Sequence, residues 1–142
     1  MSVITQIADA VAASLNSGSF SLPFTAERRY QPSFVLAEME TLRVSVVPKS
    51  VTITTATRQH SFHDCAVDIG VQKKVNPEEQ AETDVLLGLV DELIAHLRGK
   101  RLDDVPEAAW LSITHEPIFA ADHLDQKHVL TSVLTVTYRV QR

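Results

Sequence analysis

Residues 129–140 read VLTSVLTVTYRV, and this run decides the fold class. Leu130, Leu134, Val136, Tyr138 and Val140 fall on one side of an extended backbone, while Thr131, Thr135, Thr137 and Arg139 fall on the other. Alternation with a period of two is the signature of a strand with one face on a core. The threonine face is then either solvated or set against a partner.

Other strand candidates lie upstream. Residues 42–47 alternate Leu42, Val44 and Val46 against Arg43 and Ser45, and the run stops at Pro48. Residues 51–57 are rich in β-branched side chains, a composition that suits a pleated surface. Residues 63–71 put His63, Cys65, Val67, Ile69 and Val71 on one face and Asp64 and Asp68 on the other. Between the last two runs, Arg58, Gln59, His60 and Ser61 read as the loop of an antiparallel pair. Residues 110–116 give a further strand, turned by Pro117.

Two helices flank these strands. Residues 3–16 carry a stripe of Val3, Ile7, Val11 and Leu15, with Asn16 and Gly18 as the stop signal. The second spans residues 77–98. Asn76 is placed to cap it and Pro77 suits the first helical position. Glu78, Glu79 and Glu82 complement the positive end of the dipole, and Leu86, Leu89, Val90, Leu93 and Leu97 form the buried stripe. Gly99 closes it after about 30 Å, enough to cross a small sheet. Residues 19–36 contain Pro23, Pro32 and four spread aromatics (Phe20, Phe24, Tyr30, Phe34), so they are extended. They form a strand and loop over the core, or an arm that docks on a neighbour, with a helical turn expected at 35–40. The expected order is α-β-β-β-β-α-β-β. The class is α+β, a mostly antiparallel sheet with both helices on one face, in one domain over residues 1–142.

Composition narrows the function. At 142 residues, 44% hydrophobic, the chain can bury a core without metals or disulfides. Its one cysteine, Cys65, excludes an intrachain disulfide and fits a reducing compartment. No apolar run is long enough to span a membrane, and the N-terminus has no basic-then-apolar leader pattern. Net charge is −5, and the cationic pairs Arg28-Arg29, Lys73-Lys74 and Lys100-Arg101 are scattered. Tight DNA binding rests on phosphate neutralisation, which this charge pattern does not supply.

Catalytic signatures are weak. His60 and His63 fall on opposite faces of a strand, and His63 with Cys65 makes two ligands where zinc needs more. A third would have to come from His115, His123 or His128. No Gly-x-Ser-x-Gly elbow or phosphate-cradling glycine loop occurs. Cys65 sits mid-strand among apolar neighbours, where a thiol is normally inert. The adjacent carboxylates Glu78-Glu79 and Asp91-Glu92 point in different directions on a helix and do not form an acid/base pair. Trp110 reads as a packing residue at the helix–sheet junction, or as an interface anchor. No catalytic, cofactor or metal residue is expected.

The order of several segments is similar to that of a known family. Tyr30-x-Pro32 is followed by residues 42–48 (LRVSVVP), then Arg58, then residues 67–74 (VDIGVQKK). Leu89-Val90-Asp91-Glu92-Leu93 lies in the acidic-start helix. Pro117-Ile118-Phe119, Asp122-His123-Leu124 and residues 130–139 complete the series. Over residues 28 to 140 the chain resembles the tail-terminator (tail-completion) proteins of tailed bacteriophages. The resemblance implies a non-enzymatic virion protein of the tail and neck, present in the host cytoplasm during assembly. It implies a homohexameric ring that caps the tail tube protein, stops its polymerisation and joins a neck or head-closure protein. Genome DNA would pass through the lumen without specific binding, and no cofactor or membrane is involved. Six copies would carry about −30 in all, which suits passage without adhesion. On this reading Arg58 and Phe62 at the strand junction, with Lys73 and Lys74 at the end of the next strand, are subunit-contact residues. They would face acidic pairs such as Asp103-Asp104 or Glu78-Glu79 on a neighbour. The alternatives are a neck or head-closure protein and, from another class, a small metal-binding hydrolase.

Overall fold

The computed structural model describes residues 2–30, 40–76 and 78–142, without the side chains of Gln126 and Lys127. Helix α1 (Val3–Ser17) leads to a short strand β1 (Ala26–Arg28). Two long strands follow, β2 (Arg43–Thr55) and β3 (Ser61–Lys74), then helix α2 (Gln80–Leu97). Strand β4 (Ala109–His115), helix α3 (Ala121–Lys127) and strand β5 (Val129–Gln141) complete the described elements. They form a five-stranded sheet in the order β1-β2-β3-β5-β4, antiparallel throughout except for β1 beside β2. The α+β class expected from the sequence is the class observed.

The closing strand lies second from one edge of the sheet, between β3 and β4. Leu134, Val136, Tyr138 and Val140 are buried, as their alternation requires. They join Cys65, Val67, Ile69 and Val71 of β3 and Val44 and Val46 of β2 in one core. Both α1 and α2 supply its other half: Ile7, Val11 and Leu15 from the first, Val90, Leu93 and Leu97 from the second. The two helices therefore cover the same face. Burial pushes the Tyr138 phenol up to about 12.

Three local readings change. The runs at 42–47 and 51–57 are one strand, β2, which continues through Pro48 with a bulge between Pro48 and Ser50. Arg29 N–H donates to the Val46 carbonyl, so the backbone groups of Val46 point toward β1. By strand alternation the nitrogen of Pro48 points the same way, beyond the end of β1, where no ladder bond is lost. Second, α2 begins at Gln80, not Pro77, which lies outside the described residues. Asn76 caps a turn instead: its Oδ1 accepts from Glu78 N–H, and Glu82 Oε2 accepts from Asn76 N–H. Third, the segment after Pro117 contains α3, too short to show an apolar stripe. It ends at His128 with a left-handed backbone (φ 54°), whose carbonyl accepts from Val75 N–H.

Within residues 19–36, the described portion packs on its own subunit. Phe20 and Phe24 rest against the core, Glu92 accepts from the backbone and hydroxyl of Ser21, and β1 pairs with β2. Pro32 and Phe34, and the turn expected at 35–40 apart from Glu40, lie outside the described residues.

Candidate functional site

The face of the sheet away from α1 and α2 carries the threonine row of β5. Pairing of β3 with β5 sets Asp68 beside Thr135 and Asp64 beside Arg139. Thr135 Oγ1 donates to Asp68 Oδ1 at 2.6 Å, and Lys49 Nζ reaches the same oxygen at 3.8 Å. Arg139 forms a two-pronged bond to Asp64, Nε to Oδ1 at 2.8 Å and Nη2 to Oδ2 at 3.0 Å, while its guanidinium lies 4.4 Å from the Phe62 ring centre. Fork geometry and stacking on a ring are what arginine does and lysine cannot. The outer face at this end is a polar, charge-paired surface.

Hydrogen bonding from Arg139 lowers the Asp64 pKa, burial works against it, and the guanidinium charge lowers it further. A carboxylate with a depressed native pKa stabilises the fold above its unfolded value, and that contribution fades as pH falls through the native value. Arg139→Gln is therefore expected to raise the Asp64 titration midpoint and flatten the acid limb of stability below about pH 4. Carboxyl-carbon NMR titration of both proteins reads this directly. An unchanged Asp64 midpoint would show that the pair is not coupled in solution.

The opposite end of the same face is drier. Ser45, Gln72 and Thr131 are buried. Gln72 Nε2 donates to Thr131 Oγ1 at 3.3 Å, and Thr131 shares a 2.8 Å bond with His123 Nδ1 of α3. Ser45 Oγ and Gln72 Oε1 are buried without a partner. The threonine row is thus covered at its start and open farther along.

The four residues expected at a subunit contact do not converge. Arg58 is exposed in the β2–β3 turn and Phe62 lies beneath Arg139. Lys73 and Lys74 sit at the other end of β3, about 36 Å away by strand rise from Phe62. Lys73 Nζ donates to the Lys74 carbonyl at 3.2 Å. Lys74 lines an open cleft with Glu40, Val75, Asn76, Glu82 and His128. The length of β3 is what separates them, and the pairs belong to two distinct surfaces.

Among the candidates for chemistry, Cys65 is fully buried. Burial first, and the Asp64 carboxylate second, push its thiol pKa up. His60 is exposed in the turn and bonded to Thr57. His115 shares a 2.6 Å bond with Ser132 Oγ, and among the described residues no three His, Cys, Asp or Glu side chains gather to hold an ion. Trp110 lies opposite Tyr138 and packs on the core, its indole N–H buried without a partner. No described helix is long and apolar enough to cross a membrane.

Sequence reading missed the Asp64–Arg139 and Asp68–Thr135 pairs. It placed Asp64 and Asp68 on one outer face and the threonines and Arg139 on another. Matching spacings of four residues (64 and 68, 135 and 139) were the available signal. Recognising it requires knowing that β5 lies antiparallel beside β3. No protein-family model matches the chain, and no curated protein matches it.

Proposed function

We propose that this chain is a virion structural protein, a tail terminator whose ring caps a bacteriophage tail tube, ends its growth and joins it to the neck. What carries the reading is the ordered series of segments resembling that family, which falls on successive elements of one sheet and its covering helix. Residues 43–48 lie on β2, 67–74 on β3, 89–93 in α2 and 130–139 on β5. A sheet covered by helices on one face leaves its edges and outer face for assembly. A ring requires head-to-tail contacts that close on rotation, and the partners are further copies, the tube protein and a neck or head-closure protein.

The test is assembly. Mass photometry of the purified chain, alone and with tube protein, is expected to show six-copy rings and tubes that stop growing once capped. A chain that neither forms rings nor limits tube length removes the proposal. Rings that bind neck or portal-side components but never tubes favour the head-closure role instead.

A further inference from the structure

Among the described residues, the sheet ends in two strand edges along which no further strand pairs. On one side β1 pairs only with Val44, Ser45 and Val46 of β2. From there to Thr55, no described strand lies along the outer edge of β2. On the other side, β4 pairs only with β5.

Hydrogen-bond parity says which backbone groups are open. Ser61 and Arg142 exchange both N–H to carbonyl bonds, so odd residues of β3 face β5 and even ones face β2. Beyond the bulge, Thr52 and Thr54 lie opposite Asp64 and Phe62 and bond inward. Val51, Ile53 and Thr55 therefore direct their N–H and C=O groups to the open edge. In the same way, Val133 exchanges bonds with Glu116 and Pro117, so odd residues of β5 face β4. Ser112 and Thr114 bond inward, leaving Ile113 and His115 with outward backbone groups. Neither residues 50–55 nor 109–114 contains a charge or proline, two of the devices that blunt an exposed edge, and β4 carries one bulge, between Trp110 and Ser112, short of Ile113 and His115. Val51 and Ile53 are 38% and 60% exposed.

Charge brackets the two edges in opposite sense. Lys49 and Arg58 flank the β2 edge and Glu107 and Glu116 flank the β4 edge; all four are exposed, and each pair is nine residues apart. Lys49 also makes the 3.8 Å contact with Asp68, yet its side chain is 52% exposed. Strand directions agree as well. Between β2 and β4 lie β3 and β5, each antiparallel to its neighbours, so β4 runs opposite to β2. Rotating a second copy about an axis along the strands brings its β4 antiparallel to the first copy's β2 and continues the alternation.

We infer that the distal half of β2 in one copy pairs antiparallel with β4 of the next, Ile53 opposite Ile113 and Val51 opposite His115. This register joins outward backbone groups to outward backbone groups. It keeps all four side chains on the helix-bearing face, sets Lys49 toward the end of β4 that leads to Glu116, and sets the turn carrying Arg58 toward the end preceded by Glu107. The contact is head-to-tail, so copies add without limit unless rotation closes them. Closure into a ring rests on the tail-terminator reading; the edge pairing itself does not.

Two sets of variants test it by sedimentation velocity and electron microscopy. Ile53→Pro removes an N–H that bonds to no described residue of the subunit, a position where an edge strand tolerates proline. Its circular dichroism is expected to stay native while self-association weakens at least about tenfold. Lys49→Glu with Arg58→Glu is expected to weaken association by about tenfold. Adding Glu107→Lys and Glu116→Lys in the same chain restores it. Rings of undiminished stability in both sets would overturn the edge pairing and leave the ring reading intact. Open fibres or short oligomers that respond to these variants would keep the pairing and overturn the ring. A chain that stays monomeric, even with tube protein, overturns both. Protection of residues 51–55 from hydrogen exchange only when a different protein is added would overturn a second copy as the occupant.

Discussion

Leu93→Ala is expected to destabilise the subunit by about 3 kcal/mol, the middle of the range for a buried leucine. Leu93 is fully buried at the centre of the α2 stripe, in the cluster shared with β2, β3, β5 and α1. Truncation removes transfer free energy and leaves a cavity that α2, held by Val90 and Leu97 on either side, cannot fully collapse. For a domain of this length, stability of about 5–15 kcal/mol makes that a large fraction. The melting point should drop by about 10 °C. Val85→Ala on the same helix is the control, because Val85 is 53% exposed. Its cost should stay within about 0.5 kcal/mol. Urea denaturation of the three proteins reads both numbers. Equal losses at the two positions would mean that α2 does not lie on the sheet by the stripe described. Assembly of Leu93→Ala fails only as far as the subunit unfolds, whereas Ile53→Pro should fail with the subunit intact.

The α2 stripe and the β5 alternation were legible because each is a local periodicity with a large energetic consequence. Leucines at three- and four-residue spacing define a helix face, and period-two alternation defines a sheet face, before any partner is known. What the chain does not display locally is pairing. Pro48 reads as a stop, yet its nitrogen points past the end of β1 to an open edge, a fact that depends on how short β1 is. Asn76 reads as a helix cap, yet it closes a turn ahead of α2. Arg58 and Phe62, and Lys73 and Lys74, read as neighbours of strand ends. The fourteen-residue length of β3 puts the two pairs at opposite ends of that strand. The edge pairing had a trace in the sequence. Two uncharged runs, one flanked by cations and one by carboxylates at equal spacing, are visible in one dimension. Only the strand order shows that both are edges.

Asn16→Ala is the second large effect, expected at about 2 kcal/mol, and it links stability to assembly. Asn16 reads as the residue that stops α1, but its amide does more. Oδ1 accepts from Ala26 N–H at 2.7 Å and Nδ2 donates to the Ala26 carbonyl at 3.0 Å. The side chain thus imitates the peptide group of a neighbouring strand. Ala26 is buried, so truncation strands a donor and an acceptor together, each costing about 1–3 kcal/mol before relaxation. Asn16→Asp keeps the acceptor, loses the donor and sets a carboxylate against a carbonyl, so its loss should approach that of alanine. The 2.6 Å Asp9–Arg28 ion pair is the other clasp between α1 and β1. It is partly exposed and worth less. Hydrogen exchange should quicken first at residues 26–28. Once β1 frays, the open edge of β2 extends from its distal half to the whole strand. An edge of that length no longer fixes register. Asn16→Ala should therefore scatter light as heterogeneous fibres at concentrations where the parent chain forms discrete assemblies, and Ile53→Pro added to Asn16→Ala should reduce that scattering. Discrete assemblies retained in Asn16→Ala, despite fast exchange at β1, would show that β1 plays no part in limiting the edge.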